Sequence, residues 1–293
     1  MFRPREGGGN EAPDADLSIR IAPDVQTRVT DGAFEDGDAV GLTVVPWRDG
    51  KEQSLENVRW EDNVKFVRKD GVFAAVSTPY FIDAATKNTF YAYYPYNQTG
   101  FRKNSSLLDV AVKTDQRGAG ASASDCLIAV SREVVPGGNP VPLVFHHVLS
   151  QITICLKAGA GITLDELEQA AVTLKNFRTE AVCDVESGAF SDIARVDDII
   201  PCGTLVRQGD ILTGLSAILI PQDRKAGESL FYVVYNGVTM AYKPDSDFRF
   251  ESGCNHVFTA TVGMTAQGVR MQAVARLGDW QASRPAAEDS MEN

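Results

Sequence analysis

The chain of 293 residues is 44% hydrophobic and 23% charged, enough apolar material for one large domain or two of ordinary size without staples. Its 39 acidic residues outnumber 28 basic ones, and the net charge of −11 repels phosphate backbones and anionic lipid, which argues against nucleic acid or a charged membrane surface as partner. No apolar run approaches the ~18 residues of a membrane span, and the opening MFRPREGGGNEAPDAD lacks the apolar centre of a secretory leader, so the chain either stays inside the cell or follows a leader upstream.

Residues 1–15 are dominated by glycine, proline and acid, the composition of a flexible tether. Over Asp16–Ile21 the apolar residues Leu17, Ile19 and Ile21 alternate with polar ones, the period of a strand with one face in a core. Further strands are predicted at Ala39–Val45, Val58–Val67, Val72–Val76, Thr89–Tyr96, Leu107–Val112, Cys126–Ser131 and Val141–Leu156. In that last strand Phe145, His147 and Leu149 share one parity and Ile152, Ile154 and Leu156 the other, so a β-bulge near Ser150–Gln151 is expected. One helix is signalled, by the capping box Thr163 and Glu166 with Leu164, Leu167 and Ala171 on one side. Strands resume at Val172–Phe177, Ala181–Val185, Leu215–Ile220, Leu230–Tyr235, Val238–Tyr242, His256–Val262 and Val269–Ala275, and Asn236-Gly237 between two of them spells a type I′ hairpin. Many short strands and one helix predict an all-β fold of two tandem sandwiches, residues 16–158 and 159–293, with the break at Ala158–Gly161.

Catalytic and metal signatures are absent: no GxSxG, HExxH or phosphate-cradling glycine loop occurs, and three histidines cannot build a histidine-rich site. His146 and His147 are neighbours on a strand, so their rings diverge, and Ser150 on the same strand cannot pair with either as nucleophile and base. His147 is expected in a core or between domains, bonded to backbone or a tyrosine, beside Phe145, Leu149, Ile152 and Ile154 as core. Neither a cofactor nor a metal is expected, and Glu35, Asp36 and Asp38 are taken as an acidic turn. The five cysteines are odd in number and lack CxxC spacing, which favours plain packing. In FYAYYPY (Phe90–Tyr96), Tyr91 and Tyr93 share a face that is either covered or an exposed platform for stacking on sugar rings.

TRVTDGAFEDGDAVGL (Thr27–Leu42), FYAYYPY, SDCLIA (Ser124–Ala129), the Phe145, His147, Leu149 and Ser150 pattern, ILIPQ (Ile218–Gln222) and FESGCNHVFTATV (Phe250–Val262) follow one another along the chain. In that order they resemble the Mfa-like fimbrillins, the subunit superfamily of type V pili, with the resemblance running from about Asp16 to Trp280. It implies two transthyretin-like Greek-key sandwiches and a non-enzymatic pilus or adhesin subunit at the outer membrane, made as an exported lipoprotein. The partners it implies are other subunits, joined by strand exchange, and a host or bacterial surface protein or glycan. In that scheme a trypsin-like protease cuts after an arginine, here Arg28 or, less favourably placed within the strand, Arg20. The strand holding Leu17, Ile19 and Ile21 then leaves, and a terminal segment of a neighbour, around Val269–Trp280, takes its place. A glycan-binding lipoprotein that does not polymerise is the alternative.

Overall fold

The computed structural model describes residues 17–25, 34–266, 268–278 and 280. Its first strands are β1 (Ile21–Val25), β2 (Ala39–Pro46), β3 (Glu61–Lys69), β4 (Val72–Ala75), β5 (Asn88–Tyr94), β6 (Leu107–Ala111), β7 (Leu127–Val134) and β8 (Val141–His147). The later elements are β9 (Ser150–Ala158), helix α1 (Leu164–Leu167), β10 (Ala171–Asp184), β11 (Phe190–Ile199), β12 (Val206–Gln208), β13 (Ile211–Leu219), β14 (Gln222–Arg224), β15 (Phe231–Tyr235), β16 (Val238–Tyr242), β17 (Phe248–Phe250), β18 (Asn255–Thr265) and β19 (Gly268–Gly278). The all-β expectation therefore holds. α1 has the predicted capping box, with the Thr163 hydroxyl accepting the Glu166 amide, but the helix ends at Leu167 and Ala171 already opens β10.

Seven strands form one sheet in the order β1-β8-β7-β5-β2-β3-β4, antiparallel throughout except for the parallel β1–β8 pair. Its two ends meet: β1 contacts β4, and the residues before β1 bond to the segment after β4, Ile19 N–H to the Pro79 carbonyl and Phe81 N–H to the Leu17 carbonyl, both at 2.9 Å. The curled inner face is filled by alternate residues such as Val40, Leu42 and Val44 of β2, Phe90 and Ala92 of β5, and Leu143 and Phe145 of β8. Alternation on each strand is what lets one face be greasy while its backbone stays paired.

The second body stacks the sheet β11-β10-β15-β16 on the sheet β12-β13-β9-β18-β19, with β6 added to β10 and β14–β17 as a separate ribbon. Ile152, Ile154 and Leu156 of β9 face Leu174, Phe231 and Val233 across a second core. That core continues into the first body, because Val45, Tyr91, Tyr93 and Ile128 from the outer face of the seven-stranded sheet belong to it. A buried Gln116 ties the segment after β6 to β13 of the second body, its side-chain amide donating to the Ile218 carbonyl (2.7 Å) and accepting the Ile218 N–H (2.8 Å).

Three expectations are corrected here. β8 and β9 are separate strands in different sheets, so the parity switch after His147 is a change of sheet at Val148–Leu149 rather than a bulge in one long strand. A chain division at 158 would cut β9 from its position between β13 and β18; strand pairing moves the change of body to Val148–Leu149 and lends β6 to the later sheet. The first hydrogen-bonded strand is Ile21–Val25, not Asp16–Ile21, since residues 17–19 pair across to Pro79–Phe81 and only then does the chain join β8.

Candidate functional site: the edge strand and the seam it closes

β1 is a short stave held by a ladder on one side. Its five residues pair with Val141–Phe145 of β8, the Val141 N–H donating to the Arg20 carbonyl (2.8 Å), while toward β4 it makes contact without a ladder. Pro23 lies in its middle and has no N–H to offer, which suits a strand at the margin of a sheet. Ile19 and Ile21 are only 2% and 5% exposed, and Leu17 and Val25 pack half-buried on the same core. The three alternating side chains singled out from the sequence thus point into the seam between β8 and β4.

Arg20 is exposed; its guanidinium bonds the Gly138 carbonyl and its own carbonyl is engaged by Val141. A peptide bond inside paired backbone is a poor protease substrate, because cleavage requires an opened extended segment. Arg28 lies outside the described residues. At the other end of the chain, β19 is an edge strand bonded along Gly268–Gly278 to β18, with Val274 and Leu277 exposed. Just beyond it Trp280 is buried.

Trp280 and His147 form the contact that sequence reasoning missed. The rings stack at 4.3 Å with an interplanar angle of 25°, and His147 Nδ1 lies 3.0 Å from Asp125 Oδ1. The expected partner, backbone or tyrosine, is replaced by a carboxylate and an indole, and strand alternation had no means of finding residues so distant in sequence. His146 points away into solvent, and the buried Ser150 hydroxyl bonds the Cys254 carbonyl, so no nucleophile–base pair forms. Phe145, Leu149, Ile152 and Ile154 are all buried. The third histidine, His256, accepts the Glu251 N–H at Nε2 (3.1 Å), and burial pushes its pKa below the ordinary imidazole value.

Tyr91 and Tyr93 are 2% and 1% exposed, which removes them as a sugar-stacking surface. The second body covers the face that they share. The Tyr91 hydroxyl reaches Glu186 and that of Tyr93 bonds Asn63 at 2.7 Å; burial pushes both phenols up, Tyr93 to about 12. All five cysteines are free, and four are buried. Among the described residues no group of histidine, cysteine and carboxylate is arranged to hold a metal ion. A cleft of about 880 Å³ lies between the β10–β11 pair and the β14–β17 ribbon. The Arg224 guanidinium there is committed to the Lys175, Asn176 and Ser229 carbonyls and to Glu228, so it staples the ribbon down.

The chain resembles known proteins along nearly its whole length. A candidate fimbrium subunit, Fim1C, of Bacteroides uniformis is 27% identical over 289 residues, covering 94% of this chain and 87% of that protein. The solved structure of a candidate cell adhesion protein from Bacteroides uniformis matches with a TM-score of 0.65 at 21% identity, over 92% of this chain and 100% of its own. One from Bacteroides ovatus gives 0.67 at 20% identity, over 91% and 99%. Both likenesses speak to the fold. The model of the fimbrillin-like family matches residues 27–280, and the chain therefore belongs to the fimbrillin-like family.

Proposed function

We propose that the protein is a structural subunit of a bacterial surface pilus, in stalk, tip or accessory position, that assembles by protease-triggered strand exchange. The supporting observation is β1 itself: a strand with a ladder on one side only, filling a seam between β8 and β4 with Ile19 and Ile21. Full burial of an aliphatic side chain contributes about 1.5–3 kcal/mol, so these two anchors hold the strand by roughly 3–6 kcal/mol before its backbone pairing is counted. A cut after Arg28 would leave β1 held by non-covalent contacts alone. An extended segment of a neighbour with alternating apolar residues, from around Val269–Trp280, would then complete the same seam by strand addition. β19 has the character of a removable edge, although it must leave β18 and withdraw Trp280 from His147 to serve.

Membership of a fimbrial family suggests a cell-surface location, and attachment to the outer membrane through a lipid anchor belongs to this proposal. Among the described residues no helix is long and apolar enough to cross a membrane, which leaves strand-built barrels untouched. The alternative of a non-polymerising glycan binder loses the support that Tyr91 and Tyr93 were expected to give. Limited trypsin digestion followed by unheated gel electrophoresis tests the main reading. A clip near Arg28 should yield a ladder of oligomers; a confirmed clip that leaves only monomer refutes assembly by this route.

A further inference from the structure

The two aromatic side chains that remain strongly exposed among the described residues belong to segments that are bonded to each other. Trp60, just before β3, is 47% exposed and Tyr80, in the segment after β4, is 52% exposed. The indole N–H of Trp60 donates to the Tyr80 carbonyl at 2.7 Å, and the Tyr80 N–H donates to Glu61 Oε1 at 2.9 Å. The Trp60 N–H is itself bonded to the Val44 carbonyl (2.8 Å), and Tyr80 forms an antiparallel bridge with Ser18. Residues 78–82 run in alternation: Pro79 and Phe81 are buried, whereas Thr78, Tyr80 and Ile82 turn outward. Phe81 anchors the segment by packing edge-on against Phe90 of β5.

An exposed tryptophan normally has a partner or is mobile; here the backbone and the indole N–H are both fixed and a large part of the ring surface is left in water. Aromatic rings offer an apolar face with little conformational freedom to lose on binding. We propose that Trp60 and Tyr80 form a shelf that binds a neutral saccharide, the rings stacking on the C–H faces of hexose units. Glu61 and the outward Thr78 hydroxyl supply hydrogen-bond partners for sugar hydroxyls. The charge fixed at the shelf is the Glu61 carboxylate, on a chain of net charge −11, so uronic and sialic acids are disfavoured. This site goes beyond the proposed function by adding a ligand class, and because the Tyr80 segment is paired with residues 17–19 it is defined for the uncut chain.

The test uses the full, uncut chain and a panel of linear neutral gluco-, manno- and galacto-oligosaccharides set beside uronic-acid oligomers, read by titration calorimetry and tryptophan fluorescence. At least one neutral sugar should bind saturably, and Trp60→Ala and Tyr80→Ala should each weaken it by at least about tenfold, the scale of a lost stacking contact. Trp47→Phe, away from the shelf, should leave binding unchanged. Tyr80→Ala keeps every backbone bond described above, so a thermal melt like that of the parent separates loss of the shelf from loss of the fold. Binding of no neutral sugar, preference for the acidic set, or an affinity in the two alanine variants equal to the parent's would overturn the assignment. So would variants that slow the oligomer ladder after trypsin while leaving sugar binding intact, since the shelf would then be a contact between subunits. Because binding is scored before any cut, its failure leaves the polymerisation assay standing.

Discussion

Burial keeps the His256 imidazole neutral in the fold: it is 4% exposed, accepts the Glu251 N–H and lies edge-on to Phe248 and Phe250. Desolvation lowers its pKa from the ordinary 6.5, against a smaller opposing pull from the Glu251 carboxylate. The unfolded chain therefore takes up this proton first as the pH falls. The stability it confers is complete above the unfolded value near 6.5 and declines as the pH drops towards the depressed folded value. The carboxylate of Asp115, held down to about 2 by the side-chain bond from Arg117, titrates far below that window. We predict that the melting temperature falls between about pH 7 and pH 5 and that His256→Gln, whose amide oxygen can still accept the Glu251 N–H, flattens this fall. A parent and variant with identical slopes by differential scanning calorimetry would assign the pH dependence elsewhere.

The elements differ in how far the sequence foretells them, and the difference is one of range. Asn236 and Gly237 carry φ angles of 47° and 74° and close β15 on β16 as their residue types demand, because the turn is decided by two adjacent backbones. The Thr163–Glu166 box is equally local. Partners are not local: nothing near β9 says that it lies beside β18, or near β6 that it joins β10. Tyr91 and Tyr93 could not be resolved from sequence either, since a strand buried on both faces and one with an exposed aromatic face read alike. For the candidate site, alternation disclosed Ile19 and Ile21, but the partner strand, its parallel sense and the stack of Trp280 on His147 depend on tertiary geometry. The proposed role of β1 yields a prediction with two opposed signs. Ile21→Ala should destabilise the uncut chain by about 2–4 kcal/mol in urea unfolding, the usual range for truncating a buried aliphatic. After a confirmed clip the same variant should form oligomers faster than the parent, because the leaving strand is weakened while seam and donor are intact. Slower oligomerisation of the clipped variant would mean that β1 is not what the incoming strand displaces.

At the scale of the molecule, the two bodies are coupled by a common core, with Tyr91 and Tyr93 on one side and Phe177 and Leu219 among the residues on the other. The two chain ends involved in the proposed exchange are thus presented by one coupled structure. Each copy also carries a net charge of −11, so two copies approaching one another must overcome mutual repulsion before any strand can exchange. That barrier acts at long range and is screened over about 10 Å at 0.1 M salt. Insertion itself buries aliphatic side chains such as Ile19 and Ile21, an interaction that salt leaves nearly untouched or slightly strengthens. We therefore predict that, after clipping is complete and the protease inhibited, the rate of ladder formation rises as sodium chloride is raised from about 0.05 M to about 0.5 M. Quantifying the bands over time at fixed protein concentration measures it. A rate that falls with salt would mean that opposite charges on the two mating faces steer the encounter, and the overall acidity of the chain would then not be the quantity that limits assembly.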